Sequence, residues 1–556
     1  MTRALTLGIA TGLLLAFVVL PLAVLLGALA VDPASGLHAL LHPLNQRAAW
    51  NTVKLAAGVL AFTLVVGVPL GWIVGRTDLP GRPQWRALCT VPYVVPPYVT
   101  AIAWITLLNP TNGWANQVLG AFGLPAFDIY TLPGMTWVLG LALTPFVMLA
   151  TADALARMDA SLEEQARIAG AGPWRTLRTV TLPMATPGIA AGASFVLAYA
   201  SAAFGVPYLL ASGTAQPDYV LTTRIYQALN LDPATGRPVA VALSLVLLAI
   251  GIGLPALGRF VQGRRQYTTV TGKATRAAPF ALGRARPLAL LFTAGYAGLA
   301  VGLPLLTIVV TSLMRNLGLG FTADNWTLKN YAAVLFERSD TLGALWHSTI
   351  LAAGAATAAV VLGGLVAWMA RRTHTPGRGA LAALARLPYA IPGTVLALAL
   401  ILTFSQEVRL ILANRVTFVL ALSDTLWMLG LAYLVKYLAF PVGNAEAGLQ
   451  ALHPSLEESA HMAGAGWGTT MRRITLPLLA GNLVAAWFLV FMPAFSEVTM
   501  SILLSGPDTR VVGTLLFDLQ TYGDPPAAAV LAVIVTALVL GGNAALRTVS
   551  RGKVGL

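Results

Sequence analysis

Long apolar stretches recur along almost the whole chain and constrain its fold more than any other feature. About twelve stretches of roughly 20 residues can be marked in the 556-residue sequence, and about 20 apolar residues suffice for a helix to cross a bilayer. Only 10% of the residues are charged, whereas a soluble domain has about a quarter. We therefore expect an all-α polytopic membrane protein of about 12 transmembrane helices. The stretches lie near 4–31, 52–75, 88–108, 132–152, 186–211, 238–260, 287–313, 346–370, 384–405, 417–440, 480–504 and 526–546.

The distribution of basic residues predicts the orientation of these spans. The first apolar run, 4–31, is longer than the core of about 7–15 residues in a signal peptide, so we expect an uncleaved first span. With a cytoplasmic amino terminus, the inside segments carry 24 Lys and Arg residues and the outside loops carry ten. Because short cytoplasmic loops are enriched in Lys and Arg, we expect both termini to be cytoplasmic. The net charge of +14 then reflects topology rather than nucleic-acid binding.

The chain is also internally duplicated. Because each repeat has an even number of spans, six, both repeats have the same orientation in the membrane. This predicts two parallel six-helix repeats with a pathway at their interface. We expect a first six-span half over 1–260, a basic cytoplasmic linker over 261–286 and a second six-span half over 287–556. The repeated segments, each 296 residues apart, are WNTVKLAAG (50–58) and WHSTILAAG (346–354), GRTDLPGR (75–82) and RRTHTPGR (371–378), and VPYVVPP (91–97) and LPYAIPG (387–393).

One polar passage interrupts the apolar pattern in each half. It reads SLEEQARIAGAGPWRTLRTVTLP from Ser161 and SLEESAHMAGAGWGTTMRRITLP from Ser455, 294 residues later. In each copy Ser followed three residues later by Glu fits a capping box that opens a helix, and the Gly-Ala-Gly sequence ends that helix in a turn. A second short helix should then lead to the next span. We expect each copy to form a small helix-turn-helix outside the bilayer, on the cytoplasmic side.

Both passages resemble the EAA loop of permease subunits of bacterial ABC importers, whose pattern is E-A-A, three residues, G, nine residues and I-x-L-P. Both spacings hold, and the departures are Gln165 and Ser459 at the first Ala and Val180 in place of Ile. The matching residues are Glu164, Ala166, Gly170, Leu182 and Pro183 in the first copy, and Glu458, Ala460, Gly464, Leu476 and Pro477 in the second.

The resemblance implies a type I ABC importer-like fold in the bacterial inner membrane. Each loop would be a coupling helix seated in a groove of a separate ATP-binding subunit, and two similar loops favour a homodimer of that subunit. Glu164 and Glu458 would pair with basic groups of the partner, while Gly170 and Gly464 would permit the tight turn. ATP would be bound by the partner, so we expect a translocation subunit with no cofactor and no catalytic residue of its own. In keeping with this, neither Gly-Lys pair of the chain lies in a G-x-x-x-x-G-K-[ST] loop.

Two further stretches bear on the substrate. FGVPYLLASG (204–213) and EVTMSILLSGPDTRVVGTLLFDL (497–519) resemble the fused two-half permeases of the iron(III) type, which take cargo from a periplasmic binding protein. Iron(III) is therefore the expected substrate, with thiamine, polyamine and phosphonate as alternatives within the same type of importer. An ion-coupled secondary transporter is the alternative of another class, since twelve spans in two parallel halves also suit it. The doubled loop, however, has no role in that scheme.

Polar residues inside spans are candidates for a transport pathway. Glu497, within the stretch 480–504, is the best of them, and the alternative is a structural carboxylate that is bonded to a neighbouring helix or lies close to the membrane surface. The six histidines have no ligand spacing and Cys89 is the single cysteine, so we expect no metal site. The expected partners are an ATP-binding subunit, a periplasmic binding protein and membrane lipid, and no nucleic acid.

Overall fold

A computed structural model describes residues 8, 10–158, 161–231, 233–262, 279–405, 408–412, 415–420, 422 and 424–549, and these are mainly helical. In the first half the α-helices are Leu20–Val31, Pro33–Leu41, Pro43–Arg76, Arg82–Val94, Pro97–Leu108, Trp114–Ala121, Leu132–Ala156, Ser161–Ile168, Pro173–Thr176, Leu182–Ala202, Gly205–Ala211, Leu221–Leu229 and Pro233–Gln262. In the second half they are Arg286–Ala297, Leu303–Ser312, Lys329–Ala332, Ser339–Arg372, Arg378–Ala390, Gly393–Phe404, Leu426–Tyr437, Ala439–Ala451, Ser455–Met462, Trp467–Thr470, Leu476–Phe495, Ser501–Leu504, Val512–Thr521 and Pro525–Val549. Short 3₁₀ turns lie at Gly283–Ala285, Leu317–Leu319 and Ala323–Asn325.

The expected number of spans is confirmed, but three of them are not straight. Across the described residues, nine helices are long and apolar enough to cross a membrane, and three bent helix pairs bring the total to 12 when each pair counts as one span. The chain bends by 92° between Val94 and Pro97 and by 109° between Ala390 and Gly393. Both breaks contain a proline, Pro96 or Pro392, preceded by a residue in the extended conformation. Proline disfavours the helical conformation in the residue before it, which explains both breaks.

One predicted span lies in the wrong place. The apolar stretch expected to cross at 417–440 begins its helix only at Leu426, and a second helix, Ala439–Ala451, continues after a bend of 42°. The residues before it form an antiparallel hairpin of strands Val408–Leu412 and Arg415–Leu420, with an irregularity between Leu410 and Ile411. A short apolar run can form either a strand or a helix, so hydropathy alone placed this boundary wrongly.

Four π-helical turns stand immediately before a Leu-Pro pair. In each, the Leu N–H donates to the carbonyl five residues earlier, and the proline follows. Proline has no N–H, and its ring would collide with the carbonyl four residues earlier in a regular α-helix. The wider turn relieves that collision without ending the helix. The turns are Leu15–Val19, Leu177–Thr181, Gly298–Gly302 and Met471–Thr475, and a fifth π-helical turn, Ala333–Glu337, precedes no proline.

The chain divides into two compact units that do not follow the two sequence halves. One unit contains Met1–His42, Ile225–Leu248 and Ser312–Gly555, and the other contains Pro43–Arg224 and Ala249–Thr311. The first span of each half therefore packs within the unit formed mainly by the other half. The segments 1–260, 261–286 and 287–556 remain a prediction about sequence repetition, whereas the units describe which helices pack together.

In the unit around Pro43–Arg76, this long helix packs closely against Leu132–Ala156. Glycines recur every four residues along the contact, at Gly67, Gly71 and Gly75. A Cβ on Gly71 would lie 2.5 Å from a backbone oxygen of the facing helix. Small residues at this spacing let two membrane helices approach until their backbones touch.

In the other unit, the helix Ser339–Arg372 packs against Leu476–Phe495 and Ala439–Ala451. The amino-terminal span lies against Gly393–Phe404, with the rings of Phe17 and Phe404 6.1 Å apart. Each unit thus contains one helix of 34 residues, ending at Arg76 in one unit and at Arg372 in the other.

Candidate functional site

The two polar passages have the same secondary structure at equivalent positions. We call Ser161–Ile168 the first loop helix and Ser455–Met462 the second loop helix. Gly170 and Gly464 follow them with φ of 84° and 82°, which non-glycine residues rarely adopt. In each copy the N–H after this glycine donates to the carbonyl five residues before it, at 2.9 and 3.0 Å. The tight turn expected from the glycines is present in both loops.

The second short helix of each passage is not a separate element, contrary to expectation. Pro173–Thr176 continues through a π-helical turn into Leu182–Ala202, and Trp467–Thr470 continues in the same way into Leu476–Phe495. Within each polar passage, only the loop helix is therefore separate from the following span. The Leu-Pro pair that ends each motif follows the π-helical turn, at the point where the span becomes a regular α-helix.

The expected capping box is wrong for the second copy. Pro454, not Ser455, is the N-cap residue of the second loop helix, and no side chain caps it. The Ser455 hydroxyl instead lies 2.8 Å from Nδ1 of His453. The first loop helix begins at Ser161, directly after residues outside the described part of the chain.

Adjacent glutamates on each loop helix have opposite environments. Glu163 Oε2 accepts a hydrogen bond from Arg76 at 2.6 Å, and its Oε1 accepts one from the Thr181 hydroxyl at 2.7 Å. The Arg76 and Glu163 side chains are only 9% and 12% exposed. Glu164 is exposed, and within the described residues it has neither a hydrogen bond nor an ion pair. The first carboxylate therefore faces the protein and the second faces outward.

The second loop repeats this arrangement. Glu457 Oε2 lies 3.4 Å from Nε of Arg372, and its Oε1 accepts a hydrogen bond from the Thr475 hydroxyl at 2.9 Å. Glu458 is exposed and, over the part of the chain that the structure covers, has no hydrogen bond or ion pair. Each inward carboxylate thus bridges a loop helix, the end of a 34-residue helix and the last residue of a π-helical turn.

Sequence reasoning selected Glu164 and Glu458 and missed the six residues of these two bridges. The signal was present, because Glu163 and Glu457 recur 294 residues apart and Arg76 and Arg372 recur 296 residues apart. Residue type alone does not separate two neighbouring glutamates, however. The contact that distinguishes Glu163 comes from a residue 87 positions away in the chain.

The remaining residues of the motif occupy ordinary helical positions. Ala460 is buried at 9% exposure and Ala166 is half-buried, so each packs its loop helix against the protein. Pro183 and Pro477 lie in the first turn of the helices that begin at Leu182 and Leu476. Leu182 is half-buried and Leu476 is 43% exposed.

Exposed apolar side chains accompany the outward glutamates. Ile168 is 87% exposed at the end of the first loop helix, and Met462 is 89% exposed at the equivalent position of the second. A single exposed apolar residue is ordinary on a protein surface, but here the exposed side chain recurs at the equivalent position of both loops. Each loop helix therefore presents an acidic and an apolar side chain outward, and Leu456 is a further exposed apolar residue of the second.

The segment next to Arg76 is held by the end of the predicted linker. Asp78 accepts hydrogen bonds from the Leu282 N–H at 2.9 Å and from Arg286 at 2.6 Å. The Leu282 hydrogen bond, and then that of Arg286, lower the pKa of the Asp78 carboxyl below its ordinary value of 3.8. The Phe280 N–H donates to the Arg76 carbonyl at 2.8 Å. Residues 263–278 of the expected linker lie outside the described residues.

Glu497 is buried, at 8% exposure. Its carboxylate accepts hydrogen bonds from the N–H groups of Met500 and Ser501 and from the Ser501 hydroxyl, at 2.9–3.0 Å. It thereby accepts from the N–H groups at the start of the short helix Ser501–Leu504, whose Ser501 hydroxyl also lies 2.6 Å from that of Tyr433. These contacts fit the structural alternative, and a role of Glu497 in a substrate pathway stays a prediction. In the part of the chain that the structure describes, no group of three or more His, Cys, Asp and Glu side chains could hold a metal ion.

Comparison with known proteins identifies the family. The family described as binding-protein-dependent transport system inner membrane component matches residues 67–267 and 359–553, and each match contains one loop helix. A probable ABC transporter permease protein of Sinorhizobium fredii is 25% identical over 92% of this chain and 88% of its own length. A ferric transport system permease protein of Actinobacillus pleuropneumoniae is 26% identical over 81% of this chain and 64% of its own length.

Shorter relatives match about half of the chain. A molybdate/tungstate transport system permease protein of Thermococcus kodakarensis is 29% identical over 45% of this chain and 93% of its own length. A chain in the crystal structure of a bacterial alginate ABC transporter with its periplasmic protein matches at a TM-score of 0.39 and 20% identity, over 50% of this chain and 98% of its own length. Because the family match covers most of both halves, this multi-pass membrane protein belongs to the binding-protein-dependent ABC transporter permeases.

Proposed function

We propose that this chain is the translocation subunit of an ATP-driven importer in the bacterial inner membrane. It works with a separate pair of ATP-binding subunits and receives its substrate from a periplasmic binding protein. The observation that carries the proposal is the recurrence of one loop geometry in both halves, with an exposed glutamate beside an exposed apolar side chain. A partner with a basic group at the rim of an apolar groove is complementary to that pair.

The excess of Lys and Arg in the segments around the loops supports a cytoplasmic location for both loop helices. On that side of the membrane they would be accessible to an ATPase. Both chain termini would be cytoplasmic as well. Two loops of the same geometry favour two copies of one ATP-binding subunit, since each copy can use the same groove.

Iron(III) is the substrate that the relatives favour. The ferric permease aligns over 81% of this chain, which requires both halves, whereas the molybdate/tungstate permease aligns over 45%. Molybdate or a similar oxyanion is the second candidate, because the molybdate/tungstate permease aligns over 93% of its own length. The presence of both halves on one chain, as in the alignment with the ferric permease, is thus the feature that favours iron(III).

The docking part of the proposal is tested by co-purification. The tagged chain is isolated from its native host, and the ATPase retained with it is measured for the wild type and for the Glu164→Gln, Glu458→Gln double variant. We expect the double variant to bind the ATPase about 30-fold more weakly, because each replacement removes one ionic contact of about 1 kcal/mol. Glu337→Gln is the matched control, since Glu337 is exposed on a different loop. Uptake driven by an ion gradient in the absence of any ATPase would contradict the proposal.

The substrate is tested by uptake in the same host. Deletion of the chain should abolish uptake of radiolabelled iron(III) at low external concentration and leave uptake of labelled molybdate unchanged. If the wild-type chain restores iron(III) uptake to the deletion strain and the Glu164→Gln, Glu458→Gln variant does not, uptake depends on the loops. Loss of molybdate uptake with normal iron uptake would instead assign the second candidate.

A further inference from the structure

We propose that Glu163 and Glu457 are positioning residues that connect the loop helices mechanically to the membrane spans. The inference rests on the proposed function, because it concerns how movement of a docked ATPase reaches the spans. In this scheme Glu164 and Glu458 contact the ATPase. Their inward neighbours hold each loop helix to two spans at once, so that a displacement of the loop helix displaces both spans.

The geometry of a single carboxylate supports this role. Through Oε2, Glu163 holds Arg76, the last residue of the helix Pro43–Arg76, and through Oε1 it holds Thr181, the last residue before the helix Leu182–Ala202. These two helices pack against each other and against Leu132–Ala156. If the loop helix moved and Glu163 lost its contact with Arg76, the buried guanidinium would have no hydrogen-bond acceptor. Leaving a buried charge unpaired costs free energy, so the loop helix and the span should move together.

The recurrence of the bridge in the second half argues against coincidence. Glu457 forms an ion pair with Arg372 at 3.4 Å and accepts a hydrogen bond from the Thr475 hydroxyl at 2.9 Å. Both threonine hydroxyls are buried, since Thr181 is 3% and Thr475 1% exposed. Both copies thus bring one Arg, one Glu and one Thr side chain together at equivalent positions of the repeat.

The position of the two glutamates on the loop helix explains how one element serves two purposes. Consecutive residues on an α-helix point about 100° apart. When Glu163 faces Arg76, Glu164 therefore points away from the protein, where it is exposed. One helix turn can in this way contact a partner and the spans through neighbouring carboxylates.

The two bridges differ in the hydrogen bonds that the arginine keeps if the carboxylate is removed. Arg372 also donates to the carbonyls of Leu449 and Leu452, at 3.0 and 2.7 Å. Among the described residues, the Arg76 side chain has no hydrogen-bond acceptor other than Glu163. We therefore expect the loss of Glu163 to disturb coupling more than the loss of Glu457.

The test measures coupling separately from assembly. The complete complex, purified with its ATPase and reconstituted in proteoliposomes, is compared as wild type, Glu163→Gln, Glu457→Gln and Glu164→Gln. The readouts are the ATPase retained and the ratio of ATP hydrolysis with substrate-loaded binding protein to hydrolysis without it. We expect Glu163→Gln to retain the ATPase but to lower this ratio about fivefold or more, the lower end of ordinary coupling between sites. Glu457→Gln should lower it less.

A rescue variant separates positioning from general destabilisation. Arg76→Gln combined with Glu163→Gln removes both charges, so it should recover the thermal stability lost in the single variants while the activity ratio stays low. An unchanged ratio in Glu163→Gln would overturn the inference, and so would loss of the ATPase as complete as in Glu164→Gln. Failure of the proposed function would be distinct, because no ATPase would then accompany the wild-type chain.

Discussion

Arg76 and Glu163 form an ion pair of 2.6 Å that joins the end of a 34-residue helix to the first loop helix. Both side chains are nearly buried, so each charge depends on the other for its partner. The equivalent pair in the other half is Arg372 and Glu457. This relationship gives the loops a dual character, in which one face belongs to the permease and the other is free to contact a partner.

The energetic coupling within this pair can be measured with a double-mutant cycle. Glu163→Gln and Arg76→Gln should each lower the free energy of unfolding by about 3 kcal/mol, because each leaves one buried charge unpaired. The double variant leaves neither charge unpaired, so it should cost less than either single variant, which corresponds to a coupling energy above about 3 kcal/mol. Unfolding of the purified chain in detergent provides the measurement. Strictly additive costs would show that the two side chains do not depend on each other.

The turn after each loop helix should tolerate only glycine. Gly464 has a φ of 82°, and no atom lies within 4 Å of the position that a Cβ would occupy. Gly464→Ala should therefore act through backbone strain of about 1–2 kcal/mol rather than through a clash. We expect Gly170→Ala with Gly464→Ala to reduce the ATPase that co-purifies and to leave membrane insertion unchanged.

Gly468→Ala provides the matched control for this turn, because Gly468 lies in the helix Trp467–Thr470 and also has open space around it. Alanine is favoured over glycine in a helix, so this variant should retain the ATPase fully. Equal retention by the Gly464 and Gly468 variants would mean that the left-handed turn is not needed for docking.

The Asp78 carboxylate should make stability depend on pH in the acid range. Its pKa is lowered in the folded chain by the Leu282 N–H and by Arg286. Its contribution to the free energy of unfolding is therefore complete above the pKa that Asp78 has in the unfolded chain, and it is lost as the pH falls through the lower pKa of the folded chain. The difference in melting temperature between wild type and Asp78→Asn should be constant near neutral pH and should shrink below the ordinary value of 3.8. A difference that persists unchanged in acid would assign the stabilisation to something other than the charge.

The orientation of the loops can be tested by thiol labelling. Cys89, the single native cysteine, is fully buried, so an introduced cysteine should dominate labelling. Ile168→Cys should react with a membrane-impermeant maleimide in inside-out vesicles stripped of peripheral proteins, and not in intact spheroplasts. Phe336→Cys, at a position 80% exposed on a predicted outside loop, should give the opposite pattern. Labelling of both cysteines from the same side would contradict the assigned topology.

Several features of the fold could be predicted from local sequence. The number of spans follows from apolar stretches, because each buried or lipid-facing helix needs its own run of hydrophobic residues. The loops could be located because their polar residues recur 294 positions apart with the same spacing of Glu and Gly. The positive φ of Gly170 follows likewise from a short-range requirement of the turn.

Other features depended on contacts between distant residues. Hydropathy does not reveal that Arg415–Leu420 pairs as a strand or that the span expected there begins at Leu426, since both outcomes suit an apolar run. Nor does it reveal that the first span of each half packs in the unit of the other half, because apolar helices of similar composition are interchangeable in sequence. That choice is made by side-chain packing.

The sequence by itself determined that this chain spans the membrane about twelve times in two repeats and that each repeat carries a polar loop with the features of a docking helix. Only the tertiary structure decided which glutamate of each loop faces inward. Glu163 and Glu164 have the same side chain and the same helical neighbourhood, so nothing local distinguishes them. The distinction arises because the fold brings Arg76 and Thr181 to one side of the loop helix and leaves the other side uncovered.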